Sequence, residues 1–547
     1  MSLDLALLNA RVRTLDDDRP RGSAVGIAGG RIVAVGDDAD VRALAGPATE
    51  TMDLDGAAVV PGLVDSHTHP LKGAIDARGA DLTGAGTLEE VRRRLAAEAA
   101  RTAPGAWVMA FGLGYDAFGG AGRRGALVAD AVGGAPAFLL SDDLHTAVVT
   151  PRALEIAAVT GPRGFAEQSE VVVDAGGAPT GELREWAAMD LVRDAMPTLT
   201  DADRDALYAA QLRRFAALGL TGTHAMDGDL DKHAALARLE AAGDLVTRIV
   251  APFWITPETP RERWAELAGH HGDHGRRWRG GVAKFFIDGV IDAGTGWLVE
   301  PDVNGDGTLP FWPDPARYRE AVAFFAGHGF QCVTHACGDR AVREALDAYR
   351  GTGAVGVPAH PSLDAGPTAP RVQHRVEHVE TIQPEDLPRF AAEGVTASMQ
   401  TQHMMDLAPD RSDNWSRRLG DDRCDRAFLT RDLWESGALV ALGSDWPVAR
   451  LDPREGMASA RMRRAPQDPS RAPYDDQAIT GLQALVGYTL NAARAVGEDH
   501  RRGRIRVGFD ADLTVLADDP VETPAADLPA LPVVLTVVDG EVVHRAT

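Results

Sequence analysis

Cysteine is scarce in this sequence, and long apolar runs are missing. Three cysteines are too few, and odd in number, for a disulfide framework, so a reducing compartment is expected; they are Cys332, Cys337 and Cys424. No apolar run approaches the roughly 20 residues that span a bilayer. The N-terminus has acidic Asp4 before a short apolar stretch and no basic region, which is not typical of a signal peptide. We therefore expect a cytoplasmic protein with no membrane partner.

Basic residues are also in deficit. The 56 Lys+Arg stand against 80 Asp+Glu, which gives a net charge of −24. This balance argues against nucleic acid or an anionic membrane as a partner. The composition, 45% hydrophobic and 25% charged over 547 residues, is typical of a globular chain with a large core and more than one domain. Disordered, collagen-like and coiled-coil classes are excluded.

Short β-strands are predicted at both ends of the chain. Residues 1–58 alternate apolar and polar side chains in LALLNARVRTL and AVGIAGGRIVAVG. Residues 501–547 show the same pattern in VVLTVVDGEVVHR, where Asp539-Gly540 is a hairpin signal. We predict that the two termini pair into one small β domain.

The middle of the chain, residues 59–500, changes to short apolar strands followed by amphipathic helices. Examples are FQCVTHACG before DRAVREALDAYR, and RVEHVE before QPEDLPRFAAEG. Such βα units indicate a parallel sheet, and this length without a nucleotide-binding signature favours a (β/α)₈ barrel. Because residues 75–215 are too many for one or two βα units, we predict a large insertion there.

Polar residues that can bind metal follow the predicted barrel strands. His67 and His69 lie two apart at a strand end, so both imidazoles point to one face. Four more residues end other predicted strands: Lys284, His335, His378 and Asp445. Taken singly, each of these residues has a structural alternative: a His can form a structural hydrogen bond, an Asp can cap a helix, and a Lys can extend to solvent. Six together at the active-site face of a barrel predict a site for Zn²⁺ or a similar divalent ion.

The motifs around these residues resemble the metal-dependent amidohydrolase superfamily, and within it amidohydrolase family 3, the group similar to YtcJ and N-substituted formamide deformylase. The match runs through the whole chain in order, in PGLVDSHTHP, DLHTAVVTPRAL, PTGELRE, GLTGTHAMDG, KFFIDG, THACGDRAV, RVEH, SMQTQHM, GSDWPV, YTLNAARAVG and VGFDADLTVL. Departures from the family pattern at Val148, Thr150 and Thr401 fall near the expected substrate pocket and remove no metal ligand.

The resemblance implies an α/β fold, a (β/α)₈ TIM barrel with a large insertion plus a small β-sandwich domain from both termini. It implies that His67, His69 and Asp445 hold one ion and that His335 and His378 hold a second. Lys284, carboxylated by CO₂, would bridge the two ions, which would also account for a lysine on a buried strand.

The implied reaction is hydrolysis of a linear C–N amide-type bond in an N-acyl or N-formyl amine by a metal-bridging hydroxide. Asp445 would act as base and then as acid. Substrate contacts are expected from residues in or beside matching motifs, each with packing as the equal alternative: Tyr115, His145, Asp288, His403 and Trp446. We expect a small-molecule substrate, with a homodimer among the assemblies left open.

Two alternatives stay open at this stage. A mononuclear deaminase of the same superfamily is disfavoured because Gly338, rather than Glu, stands three residues after His335, and because Lys284 is present. A non-catalytic interaction scaffold is disfavoured because all six ligand positions are filled. Two Zn²⁺ ions are the default expectation, while Mn²⁺, Fe²⁺ and Co²⁺ suit the same ligands.

Overall fold

The computed structural model describes residues 2–356, 371–463 and 475–546. Its centre is an eight-stranded parallel sheet in which each strand pairs with the next along the chain. The barrel strands, numbered one to eight in chain order, are Leu63–Thr68, Leu220–Ala225, Arg248–Trp254, Trp278–Phe286, Gln331–Ala336, Arg375–His378, Thr396–Met399 and Val440–Leu442.

Backbone hydrogen bonds close the barrel between the first strand and the segment after the eighth. Asp445 N–H donates to the His67 carbonyl at 2.7 Å, and His69 N–H donates to the Trp446 carbonyl at 2.9 Å. Gly443 makes this approach possible, because a Cβ there would lie 2.5 Å from the backbone nitrogen of His67. The predicted α/β barrel is confirmed.

Two sheets built from both chain ends pack against each other beside the barrel. The first has the strand order Arg31–Gly36, Ala24–Ala28, Leu5–Leu8, Glu50–Asp53. The second has the order Glu541–Arg545, Val533–Val538, Leu513–Leu516, Ala58–Pro61, Arg11–Arg13, Arg21–Gly22. Side chains from both sheets, including Leu7, Ile27, Val59, Leu513 and Val537, form one buried cluster. Their strands join the two termini in one β-sandwich, while the exact domain boundaries stay predictions.

A further six-stranded sheet lies in sequence between the first and second barrel strands. Its order is Glu170–Val173, Pro179–Arg184, Thr146–Val149, Ala137–Ser141, Val108–Leu113, Ala80–Asp81. These strands fall inside the range predicted as an insertion. The chain returns to the barrel through the helix Asp201–Ala217, which begins with a reciprocal cap between Thr200 and Asp203. Gly219, at φ +87°, then turns the chain into the second barrel strand.

Helices cover the outside of the barrel and connect its strands. The α-helices are Asp38–Ala43, Pro70–Asp76, Leu88–Ala99, Pro151–Ile156, Trp186–Arg193, Asp201–Ala217, Leu230–Ala242, Arg261–Ala268, Pro315–Gly327, Asp339–Tyr349, Leu387–Glu393, Asn414–Leu419, Asp421–Cys424, Thr430–Glu435, Pro453–Met462, Gly481–Gly487 and Leu490–Ala495. The 3₁₀ turns are Tyr115–Ala121, Gly125–Leu127, Thr401–Asp406, Asp475–Gln477 and Ala525–Ala530, and a two-stranded ribbon pairs Val355–Gly356 with Arg371–Val372. None of the helices in the described ranges has the length and apolarity needed to cross a bilayer.

A buried ion pair fastens the barrel to the sandwich. The Arg248 guanidinium, at the start of the third barrel strand, donates to Asp512 Oδ2 at 2.7 Å and to Oδ1 at 3.1 Å. Both residues are less than one-tenth exposed. Asp512→Asn is expected to lower the free energy of unfolding by about 2 to 3 kcal/mol, because it removes the carboxylate that binds the buried guanidinium through both oxygens and leaves Asp539, at 3.1 Å, as the nearest remaining counter-charge.

Chemical denaturation of paired variants tests this contribution. Asp518→Asn is the matched control, because Asp518 pairs with Arg11 at 2.8 Å while both side chains are more than half exposed. The control should lose less than about 1 kcal/mol. Equal losses in the two variants would show that the buried pair does not fasten the units.

Candidate metal centre and substrate cavity

The six predicted ligand residues lie together at the carboxyl end of the barrel. Asp445 Oδ1 is 3.2 Å from Nε2 of both His67 and His69. The ring of His378 lies 4.7 Å from the ring of His67 and 4.3 Å from that of His335, centre to centre. Lys284 Nζ lies 4.7 Å from the centre of the Phe286 ring, which itself stacks on His335. The strand-end pattern in the sequence therefore corresponds to one cluster in space.

Buried carboxylates orient the first two imidazoles. His67 Nδ1 donates to Glu377 Oε2 at 2.6 Å, and His69 Nδ1 donates to Asp227 Oδ1 at 2.9 Å. Since a carboxylate can only accept, each ring carries a proton on Nδ1, and its Nε2 faces Asp445. Nε2 is thereby the ring atom directed at the cluster and available to a metal ion that displaces its proton, with the carboxylate fixing the orientation of the ring.

The charges of the carboxylates are maintained by their surroundings. Although burial alone would raise the pKa of Asp445, the imidazoles of His67, His403 and His69 hold that pKa well below its ordinary value. Burial would likewise raise the pKa of Glu377, but Arg375 and His67 lower it to about 2. Both groups are therefore anions near neutral pH and attract a cation to the cluster.

Several polar atoms of the cluster lack a hydrogen-bond partner within the described part of the chain. They are Lys284 Nζ, His378 Nδ1 and Asp445 Oδ1, and their residues are at most 5% exposed. An unpaired buried polar atom normally costs free energy and needs an explanation. A divalent ion bound by imidazole and carboxylate groups would satisfy the histidine and aspartate atoms, so the residues present fit such an ion.

Cys337 is a further neighbour of the cluster and was not among the six predicted ligands. Its Sγ lies 3.4 Å from His335 Nε2, and ligand atoms of His335, Cys337 and His378 all lie within 4.8 Å of one another. His335 Nε2 also donates to the Gly289 carbonyl at 2.9 Å. A thiol two residues after a strand-end His is a sequence signal that could have identified this contact.

Two residues of the cluster have backbone angles that non-glycine residues seldom adopt. His378 has φ +72° and Asp445 has φ +62°. His378 N–H donates to Gln400 Oε1 at 2.9 Å, and the barrel-closing bond to the His67 carbonyl holds Asp445. Left-handed backbone at such residues costs free energy and is typical of functional sites.

A cavity of about 320 Å³ opens above the cluster and includes His335, His378 and Asp445 in its wall. Three predicted substrate-binding residues also line it: Tyr115, His145 and His403. His403 lies between Asp445 Oδ2 and Glu380 Oε1, 3.5 Å from each. His145 Nδ1 donates to Glu185 Oε2 at 2.7 Å, and the Tyr115 hydroxyl donates to Asp143 Oδ2 at 2.7 Å.

Asp288 and Trp446, also predicted as substrate contacts, are not among the residues lining this cavity. The Asp288 carboxylate accepts backbone N–H bonds from Trp297, Cys337 and Gly338 at 2.8–3.1 Å. Trp446 packs edge-to-face on Phe215, with ring centres 5.8 Å apart. These contacts support the loop after the fifth strand and the closure of the barrel, and a direct contact with substrate stays a prediction for both residues.

Sequence reasoning missed the carboxylates that orient the imidazoles: Asp227, Glu185, Glu377 and Glu380. Glu377 had a usable signal, because RVEH is a strand in which every residue is buried and a buried carboxylate requires a partner. Which histidine it contacts depends on the barrel closing, since His67 is 310 residues away in sequence.

Residues 50–544 match the model of the amidohydrolase family. The chain belongs to the amidohydrolase family. Membership implies a hydrolase that uses a divalent metal ion, in agreement with the ligand cluster at the barrel mouth.

The similarity of this amidohydrolase to individual proteins extends over its full length. It is 28% identical to the N-substituted formamide deformylase of Arthrobacter pascens, over 100% of this chain and 99% of that protein. It is 26% identical to the protein YtcJ of Bacillus subtilis, over 98% of both chains. The solved structure of an uncharacterized metal-dependent hydrolase from Pyrococcus horikoshii has the same fold, with a TM-score of 0.72 at 23% identity over 95% of this chain and 99% of that one. The predicted resemblance is confirmed.

Proposed function

We propose that this amidohydrolase hydrolyses the linear C–N bond of an N-acyl or N-formyl amine, with two zinc ions at the barrel mouth. The observation that carries the proposal is the buried cluster at the barrel mouth, in which atoms of Lys284, His378 and Asp445 lack hydrogen-bond partners among the described residues. The other members of the cluster are His67, His69 and His335. The similarity to a formamide deformylase supports the choice of a C–N bond other than a peptide bond.

The ligands divide into two groups. His67, His69 and Asp445 would hold one ion, and His335 with His378 would hold the other. Two divalent ions bound in this way would lower the pKa of a water molecule and polarise the carbonyl of the substrate. Glu377 and Asp227 would keep the first two imidazoles in the ligating form through their hydrogen bonds to Nδ1.

Lys284 would serve as the shared ligand after carboxylation. Its side chain is fully buried, and burial lowers its pKa to about 8, so roughly a tenth of it is a neutral amine at pH 7. A neutral amine attacks CO₂, forming an N–C bond and releasing one proton, and the product is an anionic carbamate. The absence of a hydrogen-bond partner for Nζ within the described residues supports a chemically altered state.

Asp445 would move the proton of the reaction. Its carboxylate accepts a proton from the attacking water and then delivers it to the amine nitrogen as the C–N bond breaks. His403, 3.5 Å from Asp445 Oδ2 and backed by Glu380, stabilises the charge of that carboxylate before the transfer. The products are a carboxylic acid and an amine, so one water molecule is consumed for each bond broken.

Metal analysis combined with a substrate screen tests the proposal. Protein purified without chelator is expected to contain close to two zinc ions per chain and to hydrolyse members of a panel of N-formyl and N-acetyl alkylamines. Chelation should abolish this activity, and added Zn²⁺ should restore it. A single ion together with ammonia release from aminated rings would instead support a mononuclear deaminase, and a chain that binds no metal would contradict both.

The hydrogen bond from His69 to Asp227 provides a prediction about metal affinity. Asp227→Ala should weaken binding of the tightest ion about 10- to 100-fold, because the His69 ring loses the acceptor that fixes its orientation. Competition with a chromogenic chelator measures this affinity. Asp231→Ala is the matched control, since Asp231 is exposed and four residues away. Unchanged affinity in Asp227→Ala would remove His69 from the ligand set.

A further inference from the structure

One histidine in the wall of the substrate cavity has a ring nitrogen that no other described residue binds. His145 Nδ1 donates to Glu185 Oε2 at 2.7 Å, whereas no hydrogen bond to its Nε2 is formed within the described part of the chain. The residue lines the cavity and is only 5% exposed. Since a buried polar atom normally has a partner, and Nδ1 is engaged on the opposite side of the ring, Nε2 is open to a ligand in the cavity.

The other nitrogen and hydroxyl side chains of the described cavity wall, apart from the predicted metal ligands, have partners in the protein. They are Tyr115, which donates to Asp143 at 2.7 Å, Asn414, which donates to the Asp292 carbonyl at 2.8 Å, Trp415, which donates to Glu380 at 2.8 Å, and His403, whose ring nitrogens each lie 3.5 Å from a carboxylate oxygen of Glu380 or Asp445. Among these described residues, His145 is therefore the side chain left to donate a hydrogen bond to a substrate.

Two strands of the insertion sheet place His145 beside Glu185. His145 immediately precedes the strand Thr146–Val149, and Glu185 immediately follows the strand Pro179–Arg184. The two strands pair antiparallel, and Glu185 N–H donates to the His145 carbonyl at 2.7 Å. The pair therefore reaches the barrel mouth from the insertion, and its ring lies 5.4 Å from that of His335, centre to centre.

The backbone around this pair adopts angles that cost free energy. Glu185 has φ +63° with ψ 171°, and Leu144, directly before His145, has φ +62°. Gly289 leaves room for the carboxylate, because a Cβ there would lie 2.3 Å from Glu185 Oε1, and the Thr295 hydroxyl donates to the same oxygen at 2.7 Å. Such unfavourable angles persist where the surrounding structure fixes them, and they are typical of functional sites.

His145 and Glu185 form a buried ion pair. Glu185 is fully buried, and His145 is its ion-pair partner within the described ranges. Because a carboxylate in this position requires a compensating charge, the imidazole carries a proton on both nitrogens. Nε2 is then a cationic N–H donor beside the metal ligands. A fixed donor of this kind stabilises the negative charge that develops on a carbonyl oxygen during hydrolysis.

We propose that His145 is a catalytic residue whose Nε2–H binds the carbonyl oxygen of the substrate, and that Glu185 positions its ring. This inference rests on the proposed amide hydrolysis. As the attacking oxygen bonds to the carbonyl carbon, the electron pair of the C=O double bond moves to the carbonyl oxygen, and His145 donates to the resulting oxyanion. The electron pair returns when the C–N bond breaks. His145 keeps its proton throughout, while Asp445 carries the proton that is transferred.

His145→Asn tests the donor, because the asparagine amide can replace Nδ1 in the contact with Glu185 but has no atom at the position of Nε2. The variant should lower kcat on the best amide substrate about 10²- to 10³-fold and change KM less than about threefold, as expected for a group that binds the transition state. Its metal content should equal that of wild type. His328→Asn is the matched control, since His328 is exposed, and should keep the full kcat. A decrease in kcat of less than about threefold, or loss of metal in His145→Asn, would overturn the inference.

Glu185→Gln tests the positioning residue without altering the ring that binds the substrate. The amide oxygen still accepts the hydrogen bond from His145 Nδ1, but the charge that keeps the second proton on the imidazole is gone. We therefore expect kcat to fall at least about tenfold with KM and metal content unchanged. Wild-type kcat in Glu185→Gln would show that the ion pair only packs, and would exclude the cationic donor.

A binding measurement separates this inference from the proposed reaction. Calorimetry on zinc-loaded protein compares an alkylphosphonate, which is a tetrahedral anion, with the N-alkylurea of the same length, which is neutral and planar. His145→Asn should weaken binding of the phosphonate at least about tenfold more than binding of the urea. If no amide is hydrolysed but this difference appears, the proposed reaction fails and the His145 donor stands. If amides are hydrolysed and the variant weakens both probes equally, the reaction stands and the inference fails.

Discussion

Asp445→Asn should lower kcat on the best amide substrate by about 10³- to 10⁴-fold, the upper range for loss of a general acid–base residue. Asparagine has nearly the same shape, and it tolerates the left-handed backbone that Asp445 adopts at φ +62°. The folded structure should therefore be retained. The loss of activity would then arise from the charge and proton affinity of the side chain.

Metal content measured on the same Asp445→Asn protein separates two roles of the carboxylate. Retention of the full metal content with lost activity would assign Asp445 to proton transfer, whereas loss of an ion would show that it mainly holds metal. Asp445→Glu is a useful comparison, since it keeps the charge but displaces the oxygens that lie 3.2 Å from His67 and His69. A decrease of less than about tenfold in Asp445→Asn would refute the proposed proton carrier.

The ligand cluster could be predicted from sequence because strand periodicity and strand ends carry the information. His67 and His69 share a face through the two-residue repeat of a strand, and parallel strands present their carboxyl ends to one side. Lys284 was conspicuous because few lysines occur in the chain and this one lies on an apolar strand. These signals are properties of the local sequence, and they do not depend on which distant residues the closed barrel brings into contact.

The residues that surround the cluster could not be predicted in the same way. Asp227 reaches His69 across 158 residues of sequence, and Glu377 reaches His67 across 310. Such pairs depend on strand register and side-chain rotamers, which no local pattern specifies. The sequence predicts the six-stranded sheet only as an insertion, because residues 75–215 are too many for one or two βα units. It does not predict that segments of this insertion, including Asp142 and Asp143, line the cavity. For Trp446 the motif position does not specify which way the ring packs, and the structure places it edge-to-face on Phe215.

Lys284→Met should produce a protein that is more stable without metal and yet inactive. Burial lowers the pKa of Lys284 to about 8 from the ordinary 10.5, so at pH 7 the folded metal-free chain holds an ammonium ion at a cost. Replacement by an apolar side chain of similar length removes that cost, and the free energy of unfolding should rise by roughly 3 kcal/mol. Under the proposed function, metal content should fall to one ion or fewer, and kcat/KM should fall at least about 10³-fold because a bridging ligand is lost.

The pH dependence of this stability difference supplies a further check. Between pH 8 and pH 10.5 the unfolded wild-type chain still binds the proton at Lys284 while the folded chain has lost it, so wild-type stability rises with pH through this window relative to the variant. The advantage of Lys284→Met, measured by denaturation of chelated protein, should therefore be full at pH 7 and nearly absent at pH 10.5. A variant that is less stable than wild type at pH 7 would show that Lys284 packs as a structural residue. In that case packing, rather than metal binding, would explain why Lys284 is buried in the barrel.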